Sequence, residues 1–297
     1  MKKIKIILNP SSGKAGYEDE FNEVCRLLLH KGHTLSLFKT QKKDDAWQAT
    51  MKAVEEGYDL IVVSGGDGTV NEVAKGLFLA KSQVPMAIFK SGTVNDFACH
   101  LQLPVSAHGF VDMIENGNDI PVDIGLLNGE VFINIAAGGI FTSVAHMTKK
   151  EVKKYLGRGA YYLEAMSGLP KNLRTSYRLK IESEEFTTED DYHLFLITNS
   201  SSVGGFDRIS PAADLQDGVF DCMFIRKAPI VGKADVFMKI LMGKHLDNKY
   251  IDYFQTKHIK IELIGNDQLD VDVDGEFGGQ LPIEIEVKPA GIHILKP

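Results

Sequence analysis

The sequence lacks most of the features that mark secreted, metal-clustered or nucleic-acid-binding proteins. Its 297 residues include only three cysteines, Cys25, Cys99 and Cys222, which are scattered and lack metal-ligand spacing, so reduced cytosolic thiols are the simplest interpretation. The formal net charge of -7 argues against general nucleic-acid binding. No apolar segment of signal-peptide length follows Met1. We therefore expect a cytoplasmic globular protein with no nucleic-acid partner, built as one large domain or two modest ones.

Several motifs of catalysis and membrane insertion are also missing. Neither H-E-x-x-H nor G-x-S-x-G occurs, so nothing indicates a zinc protease or a serine hydrolase. The common phosphate loop G-x-x-x-x-G-K-[ST] is absent, since Gly13-Lys14 is followed by alanine, and G-x-G-x-x-G fails after Gly66-x-Gly68. One uncharged span, 131–148, is long enough for a membrane segment but too polar. We predict that it is a core strand, a glycine turn and a helix start, with no transmembrane segment.

Against these absences stands a glycine-rich segment at residues 64–72, Ser-Gly-Gly-Asp-Gly-Thr-Val-Asn-Glu. An apolar run precedes it and apolar residues with helical spacing follow it, which predicts a buried strand, a tight turn and a helix. Glycines allow a ligand to approach the backbone, and the N–H groups of a helix start favour an anion. Asp67 beside that anion suits a bridging divalent cation. An ordinary strand-to-helix turn is the alternative, but Gly-Gly-Asp-Gly-Thr at a strand end favours a phosphate site.

The first 122 residues alternate between strand and helix patterns. Strands are predicted at 4–8, 34–39, 60–63 and 85–89, and helices at 21–32, 44–56, 70–77, 97–101 and 105–115. Strands separated by helices imply a parallel sheet covered on both faces, and ligands of such sheets bind beyond the C-terminal ends of the strands. Loop glycines and polar residues collect at those ends, at 9–13, 40, 65–69 and 91–96.

Strand patterns dominate from about Asp123 onward. They occur at 131–136, 178–182, 194–198, 219–226, 259–263, 270–273 and 283–287, with helices predicted at 149–167 and 231–242. This change predicts an α/β protein in which a parallel-sheet domain, 1–122, is followed by an antiparallel β-rich domain, 123–282. No low-complexity linker separates the two, so we expect them to pack closely.

Two further polar loops follow strands of the predicted parallel sheet. The first, 9–14, is Asn-Pro-Ser-Ser-Gly-Lys, whose hydroxyls and N–H groups suit phosphate, although such a sequence is more often only a turn. The second, 90–96, is Lys-Ser-Gly-Thr-Val-Asn-Asp and also opens a helix. Three such loops at one sheet edge together predict a nucleotide site.

Two acidic segments of the second half have both a structural and a functional interpretation. Asp217-Gly218 before an apolar strand predicts a hairpin turn by default, and a cation site using Asp217 and nearby carbonyls is the alternative. Residues 270–276, Asp-Val-Asp-Val-Asp-Gly-Glu, place three aspartates on one strand face by alternation. That face is either a solvated edge or a general base with a metal ligand, because activating an alcohol requires a carboxylate within hydrogen-bond reach.

One segment carries a charge opposite to that of the whole chain. Between 149 and 180, nine basic residues stand against two acidic ones, a net charge of +7, with tyrosines and aliphatic residues interleaved. A basic helix with aromatic residues suits an anionic membrane surface, which would make the protein peripherally membrane-associated. A solvated helix balanced by acids elsewhere in the fold is an equal alternative.

Taken in order along the chain, these segments resemble the bacterial diacylglycerol-kinase-type lipid kinases, a family that includes the sphingosine kinases. The resembling motifs are Asn9-Pro10-x-Ser12-Gly13, Gly65-Gly66-Asp67-Gly68-Thr69-x-Asn71-Glu72, Gly92-Thr93-x-Asn95-Asp96-Phe97-Ala98, Asp123-Ile124-Gly125, Asn134 with Gly138-Gly139, and Asp274-Gly275-Glu276. The resemblance covers nearly the whole chain, and the order of the motifs makes it specific.

The resemblance implies ATP- and Mg²⁺-dependent phosphorylation of a lipid hydroxyl, with diacylglycerol as the first expected acceptor. It implies a nucleotide domain like those of NAD kinase and phosphofructokinase, to which residues 283–297 return, and a C-terminal antiparallel β-sandwich that binds the lipid. Glu276 would be the general base, with Asp274 and Asp67 beside it. The implied ATP-binding residues are Asn9, Pro10, Ser11, Ser12, Gly13, Thr40, Gly65, Gly66, Asp67, Gly68, Thr69, Val70, Asn71 and Thr93.

A structural Mg²⁺ is also implied by the resemblance. Asp217 would hold it together with the carbonyls of Asp214 and Val219, linked to Asp123. This implication reverses the default hairpin interpretation of Asp217.

Two rival functions remain at this point. NAD kinases share a Gly-Gly-Asp-Gly-Thr turn and a similar two-domain plan, but the T-P-T-G-S-T-A-Y-type segment expected there is absent. A nucleotide- or lipid-binding regulator without catalysis is disfavoured by the retention of Asp67, Asp217, Asp274 and Glu276. The lipid itself (diacylglycerol, phosphatidylglycerol, undecaprenol or a sphingoid base) and the oligomeric state, a homodimer included, stay open.

Overall fold

One continuous sheet of 15 strands runs through the part of the chain that the computed structural model describes, residues 1–12, 17–90, 96–139, 175–201 and 209–297. The strands are β1 Lys3–Leu8, β2 Thr34–Lys39, β3 Leu60–Gly65, β4 Met86–Lys90, β5 Asn118–Leu127, β6 Glu130–Phe132, β7 Ile135–Gly139, β8 Tyr177–Ser183, β9 Thr187–Thr198, β10 Phe220–Arg226, β11 Ile251–Thr256, β12 His258–Leu263, β13 Asp270–Val273, β14 Glu276–Gln280 and β15 Ile283–Lys296. The helices are α1 Tyr17–His30, α2 Asp45–Glu55, α3 Asp67–Leu79, α4 Asp96–His100, α5 Ala107–Asn116 and α6 Ile230–Leu241, and Pro10–Ser12 forms a turn of 3-10 helix.

The N-terminal half is a parallel sheet, as the sequence predicts, and its strand order is β4-β3-β1-β2. All six residues of β3 are buried, which requires cover on both faces of the sheet. The helices pack in two pairs, α1 with α5 and α2 with α3. In α2 the buried residues follow helical spacing, so a narrow stripe of small side chains lies against α3. These residues are Ala46, Ala49, Thr50 and Ala53.

The C-terminal half is antiparallel. Strands β14, β13, β7, β9, β8 and β12 follow one another across the sheet, and β10 lies between β9 and β11. A second core lies here, built around aromatic residues such as Tyr192, Phe195 and Phe224. The α/β class with a parallel first half and an antiparallel second half is therefore confirmed. No helix within the described residues is long and apolar enough to cross a membrane.

The two halves share the last strand. β15 pairs with β12 from Ile283 to Glu286, with β5 along most of its length, and with β4 through Ile294 opposite Met86. Its first apolar residues belong to the second core, and its last ones, among them Ile294, belong to the core of the parallel half. This strand therefore ties the two cores together.

Some elements differ from those predicted. β5, β11 and β14 were not predicted as strands, and the predicted strand 131–136 is divided by a bend at Ile133 and Asn134. β15 has 14 residues instead of five, because a bulge after Lys288 lets the strand continue past Pro289. The predicted helix at 149–167 lies outside the described residues.

Candidate active site

A pocket of about 380 Å³ opens where β1, β2 and β3 end. Its walls come from the three loops that follow these strands, from the start of α3 and from the start of β14. The lining residues are Asn9, Ser11, Thr40, Gln41, Lys42, Lys43, Ala46, Gly66, Gly68, Thr69, Glu72 and Glu276. Parallel strands place their C-terminal ends at one edge, so loops distant in sequence meet there. The volume lies within the range usual for small-molecule sites.

The glycine turn forms one wall of this pocket. A β-carbon on Gly65 would lie 2.5 Å from Cβ of Thr69, so the close packing of the turn excludes any side chain. Gly66 is the N-cap of α3 and makes no side-chain cap hydrogen bond, and a β-carbon there would meet only open space. Glycine supplies no capping side chain of its own, so the N–H groups of this helix start and the positive end of its dipole favour an anion in the pocket.

Asn9 joins the first loop to the glycine turn. Its backbone N–H donates to the Ser64 carbonyl at 2.8 Å, and its Nδ2 donates to Oγ1 of Thr69 at 3.0 Å. Its Oδ1 accepts from the Ser11 N–H at 3.0 Å, at the 3-10 turn Pro10–Ser12. Thr40 is held beside the same strand ends, because its N–H donates to the Leu8 carbonyl at 2.9 Å. The loops after β1, β2 and β3 are thus fixed relative to one another.

Other residues predicted to bind nucleotide lie elsewhere. Val70 is 1% exposed and packs in the core, so only its backbone could reach a ligand. Asn71 directs Nδ2 to the Val131 carbonyl at 3.4 Å and thereby joins α3 to β6. Gly13 and Thr93 lie outside the described residues.

The loop after β2 contributes pocket residues that the sequence prediction missed apart from Thr40. Glu72 on α3 fixes this loop, since its two carboxylate oxygens accept the N–H groups of Asp44 at 3.1 Å and Ala46 at 2.9 Å. Asp45 accepts the N–H groups of Gln41 and Lys42 at 2.8 and 3.0 Å. One signal was available: β2 belongs to a parallel sheet, so the loop that follows it must reach the ligand edge.

Asp274 anchors the turn between β13 and β14. It is 8% exposed, and its carboxylate accepts the N–H groups of Ile133, Asn134 and Ile135 at 2.8 to 3.0 Å. Burial raises the pKa of Asp274 to about 6; the three hydrogen bonds oppose that shift, and the negative charge of Asp67 adds to it. Asp274 is therefore enclosed, close to Asp67 and already hydrogen-bonded, which suits it to hold the turn in place.

The prediction that three aspartates share one strand face is wrong. β13 ends at Val273, and Asp274 follows it in the left-handed region with a φ of 51°. This conformation breaks the two-residue alternation, so the Asp274 side chain turns inward whereas Asp270 stays exposed.

Glu276 begins β14 and reaches back to the glycine turn. Its side chain is 52% exposed, and Oε2 forms an ion pair with Nζ of Lys43 at 2.7 Å. Oε1 lies 2.9 Å from the position that a β-carbon on Gly68 would occupy. A carboxylate of the C-terminal half thus lies over the first turn of α3, in the pocket and open to solvent, where it can accept a proton.

A second acidic turn lies away from this pocket, at residues 214–219. Asp123 is 2% exposed and its carboxylate accepts the N–H groups of Gly218 at 2.7 Å and Ala290 at 2.8 Å. Asp217 accepts the N–H of Val219 at 3.0 Å, and Asp214 accepts that of Gln216 at 3.0 Å. The default hairpin interpretation is wrong, because residues 209–219 before β10 form turns and bends and contain no strand that could pair with β10.

The chemistry of this turn fits a hard cation. Burial raises the pKa of Asp217, and the charges of Asp214 and Asp123 raise it further, so the carboxylates crowd one another. Within the described ranges no group of three or more His, Cys, Asp or Glu side chains is arranged to hold a metal ion. A cation here would need carbonyl and water oxygens as ligands as well as carboxylates, and Mg²⁺ binds to such mixed oxygen ligands.

Most of the basic segment predicted to contact a membrane lies outside the described residues. Its last two basic residues lie on β8, and both are paired on the sheet: Arg178 with Glu189 at 3.2 Å and Lys180 with Glu182 at 2.9 Å. These two residues fit the alternative of a solvated face.

Comparison with protein families divides the chain into two matched regions. The diacylglycerol kinase catalytic domain matches residues 3–127, which contain the glycine turn. The YegS C-terminal NAD kinase beta-sandwich-like domain matches residues 135–296, which contain both acidic turns.

Individual relatives are similar over the full length. A diacylglycerol kinase of Bacillus subtilis (strain 168) is 34% identical over 298 residues, covering 100% of this chain and 97% of that protein. A diacylglycerol kinase of Staphylococcus carnosus (strain TM300) is 34% identical over 281 residues, covering 95% of this chain and 90% of that protein. A crystal structure of a candidate diacylglycerol kinase from Bacillus anthracis (strain Sterne) superposes with a TM-score of 0.80 at 26% identity, covering 100% of this chain and 97% of that one.

Proposed function

The chain belongs to the diacylglycerol kinase catalytic-domain family of lipid kinases, and from this premise we propose that it transfers the γ-phosphate of ATP to the hydroxyl of diacylglycerol. The products are phosphatidic acid and ADP. The relatives named as diacylglycerol kinases support this acceptor over other lipid alcohols.

One observation carries the proposal. Glu276, from the antiparallel half, places a carboxylate over Gly68 of the glycine turn, inside the pocket that the three strand-end loops form. A phosphate donor held by the turn and an acceptor brought by the second half would therefore meet at this carboxylate. Phosphoryl transfer depends mainly on such positioning and on charge stabilisation.

The role proposed for each residue follows from its position in the pocket. Asn9, Ser11, Thr40 and Thr69, with the backbone of the glycine turn, would hold the phosphates of ATP. Glu276 takes the proton of the acceptor hydroxyl while the oxygen of that hydroxyl bonds to the γ-phosphorus. The bond from that phosphorus to the β-phosphate oxygen breaks at the same time, and ADP leaves with the electron pair.

Asp274 and Mg²⁺ have supporting roles in the proposal. Asp274 holds the turn that carries Glu276, through the three backbone N–H groups that it accepts. Mg²⁺ bound with ATP would neutralise phosphate charge, with Asp67 as its protein ligand. A second Mg²⁺ would be held by Asp217 and the carbonyls of Asp214 and Val219.

The acceptor is insoluble in water, so the protein has to work at a membrane surface. We propose a peripheral contact with anionic lipid through the basic residues between 149 and 174, which lie outside the described residues. The +7 charge of the segment 149–180 supports this contact.

An acceptor panel tests the proposed function. The purified protein would be incubated with radiolabelled ATP, with and without Mg²⁺, and with diacylglycerol, phosphatidylglycerol, undecaprenol or a sphingoid base in mixed micelles, and with NAD in solution. We expect Mg²⁺-dependent labelling of diacylglycerol above all other acceptors. Labelling of NAD without any lipid would overturn the proposal in favour of an NAD kinase. ATP binding without any transfer would overturn it in favour of a regulator.

A further inference from the structure

An ion pair joins the two halves of the molecule across the pocket. Nζ of Lys43, in the loop after β2, lies 2.7 Å from Oε2 of Glu276, and the two residues are 233 positions apart in sequence. Their side chains are 70% and 52% exposed. Exposed pairs of this kind stabilise a fold by about 0–1 kcal/mol, so stability does not account for this contact.

The backbone that carries Lys43 is fixed by its neighbours. Glu72 accepts the N–H groups of Asp44 and Ala46, on the C-terminal side of Lys43, and Asp45 accepts those of Gln41 and Lys42 on the other side. Nε1 of Trp47 donates to Oδ1 of Asp44 at 3.0 Å. A loop held at this many points fixes the backbone of Lys43 at the edge of the pocket, within reach of Glu276.

The two carboxylate oxygens of Glu276 have different neighbours. Oε2 is occupied by the ammonium group, and Oε1 lies over Gly68 at the start of α3. We propose that Lys43 is a positioning residue of the phosphoryl transfer, which holds Oε2 of Glu276 so that Oε1 faces the acceptor hydroxyl. This inference rests on the proposed function. In the transfer step the hydroxyl proton moves to Oε1, and Lys43 keeps its own proton throughout.

The surroundings of Lys43 keep it charged. The hydrogen bond and the charge of Glu276 raise the pKa of Lys43, and Asp44 and Glu72 contribute in the same direction. A lysine in a nucleotide pocket commonly binds phosphate as a point charge. That ordinary role predicts a change in the KM for ATP, whereas a positioning role predicts a change in kcat.

Four variants separate these roles in the lipid kinase assay. We expect Lys43→Met to lower kcat about 10- to 100-fold, the effect of a small displacement of a reacting group, with the KM for ATP unchanged. Lys43→Arg should restore most of kcat, because a guanidinium group also pairs with a carboxylate. Lys42→Met removes an equal charge from the same loop, and any loss there should fall on the KM for ATP. Lys52→Met on α2 removes an exposed lysine that lies 3.8 Å from Glu56 and should match the wild type.

The outcomes distinguish this inference from the function on which it rests. A rise in the KM for ATP in Lys43→Met, with kcat intact, would overturn the positioning role, and so would equal effects in Lys43→Met and Lys42→Met. If Glu276→Gln is inactive while Lys43→Met has full activity, the lipid kinase mechanism stands and the inference about Lys43 falls. A wild-type protein that labels no lipid would overturn both. Circular dichroism of each variant confirms that the fold is retained.

Discussion

The two acidic turns of the molecule are built alike and differ in their surroundings. In each, a buried aspartate accepts backbone N–H groups. Asp274 lies within the turn before β14 and accepts N–H groups of residues 133–135, whereas Asp123 lies on β5 and accepts the N–H of Gly218 in the turn before β10. Each buried acid holds a turn that presents a more exposed acid, Glu276 in the first and Asp217 in the second. The first turn faces the ammonium group of Lys43 across the pocket, whereas the second faces other carboxylates.

We propose that this difference suits the two turns to different chemistry. A carboxylate that already has a cationic partner at one oxygen is placed for proton transfer at the other. Carboxylates that face one another repel until a cation is present, so the second turn is suited to bind metal and to transmit that binding to the fold. Three experiments test the comparison, in order of expected effect.

Removing the charge of Glu276 tests the proton-transfer side of the comparison. We expect Glu276→Gln to lower kcat by roughly 10²–10⁴, because the amide cannot accept the hydroxyl proton. Glu130→Gln is a matched control, since Glu130 also pairs with a lysine, Lys75, at 2.6 Å but lies outside the pocket. Near-normal turnover in a folded Glu276→Gln protein would mean that the first turn does not supply the general base.

The buried acid of the first turn is tested by pH. Asp274 has a folded-state pKa of about 6, above its value in an unfolded chain, so the folded protein binds this proton more tightly. The contribution of Asp274 to the free energy of unfolding should therefore fall as pH rises from about 4 through about 6, by up to about 3 kcal/mol. Urea unfolding of the wild type and of Asp274→Asn at pH 4, 5, 6 and 7 measures the effect. At pH 4 the difference in the free energy of unfolding between wild type and variant reports the altered hydrogen bonds. As pH rises, we expect the variant to become more stable relative to the wild type. A difference that does not vary with pH would contradict the raised pKa.

The metal side of the comparison is tested by thermal unfolding without nucleotide. Mg²⁺ at about 100 times its dissociation constant should stabilise the wild type by about 2.7 kcal/mol relative to chelator, if it binds the folded state alone. Asp217→Asn should lose most of this stabilisation. Asp214→Asn should keep most of it, because only the carbonyl of Asp214 is assigned to the metal and its carboxylate contributes nearby charge alone. Equal stabilisation of Asp217→Asn and the wild type would place the ion elsewhere.

The sequence predicted the parallel half well for a physical reason. Its strands are short apolar runs buried on both faces, and its helices have regular apolar spacing, so local patterns suffice. β5 was missed because Pro121, Asp123 and Gly125 interrupt its pattern, although pairing with β15 supports the strand. β15 was predicted too short for a similar reason, since Pro289 and the left-handed Ala290 form a bulge within it.

The candidate site could be predicted only in part. The glycine turn, Asn9, Thr40 and Glu276 were predicted from motifs and from resemblance, and the structure brings them to one pocket. The roles of Lys43 and Glu72 depend on contacts between elements far apart in sequence, which no local pattern encodes. The inward turn of Asp274 depends on one left-handed residue, which alternation cannot anticipate.

The shared last strand has a consequence for how the chain is made. The parallel half needs Ile292, Ile294 and Leu295 of β15 to complete its core, and β4 needs this strand as a neighbour. Until those residues leave the ribosome, β4 exposes an unpaired edge on which other chains could pair. The half synthesised first is therefore completed last. We infer that a fragment ending at residue 127 would be prone to aggregate, although it contains the whole nucleotide motif.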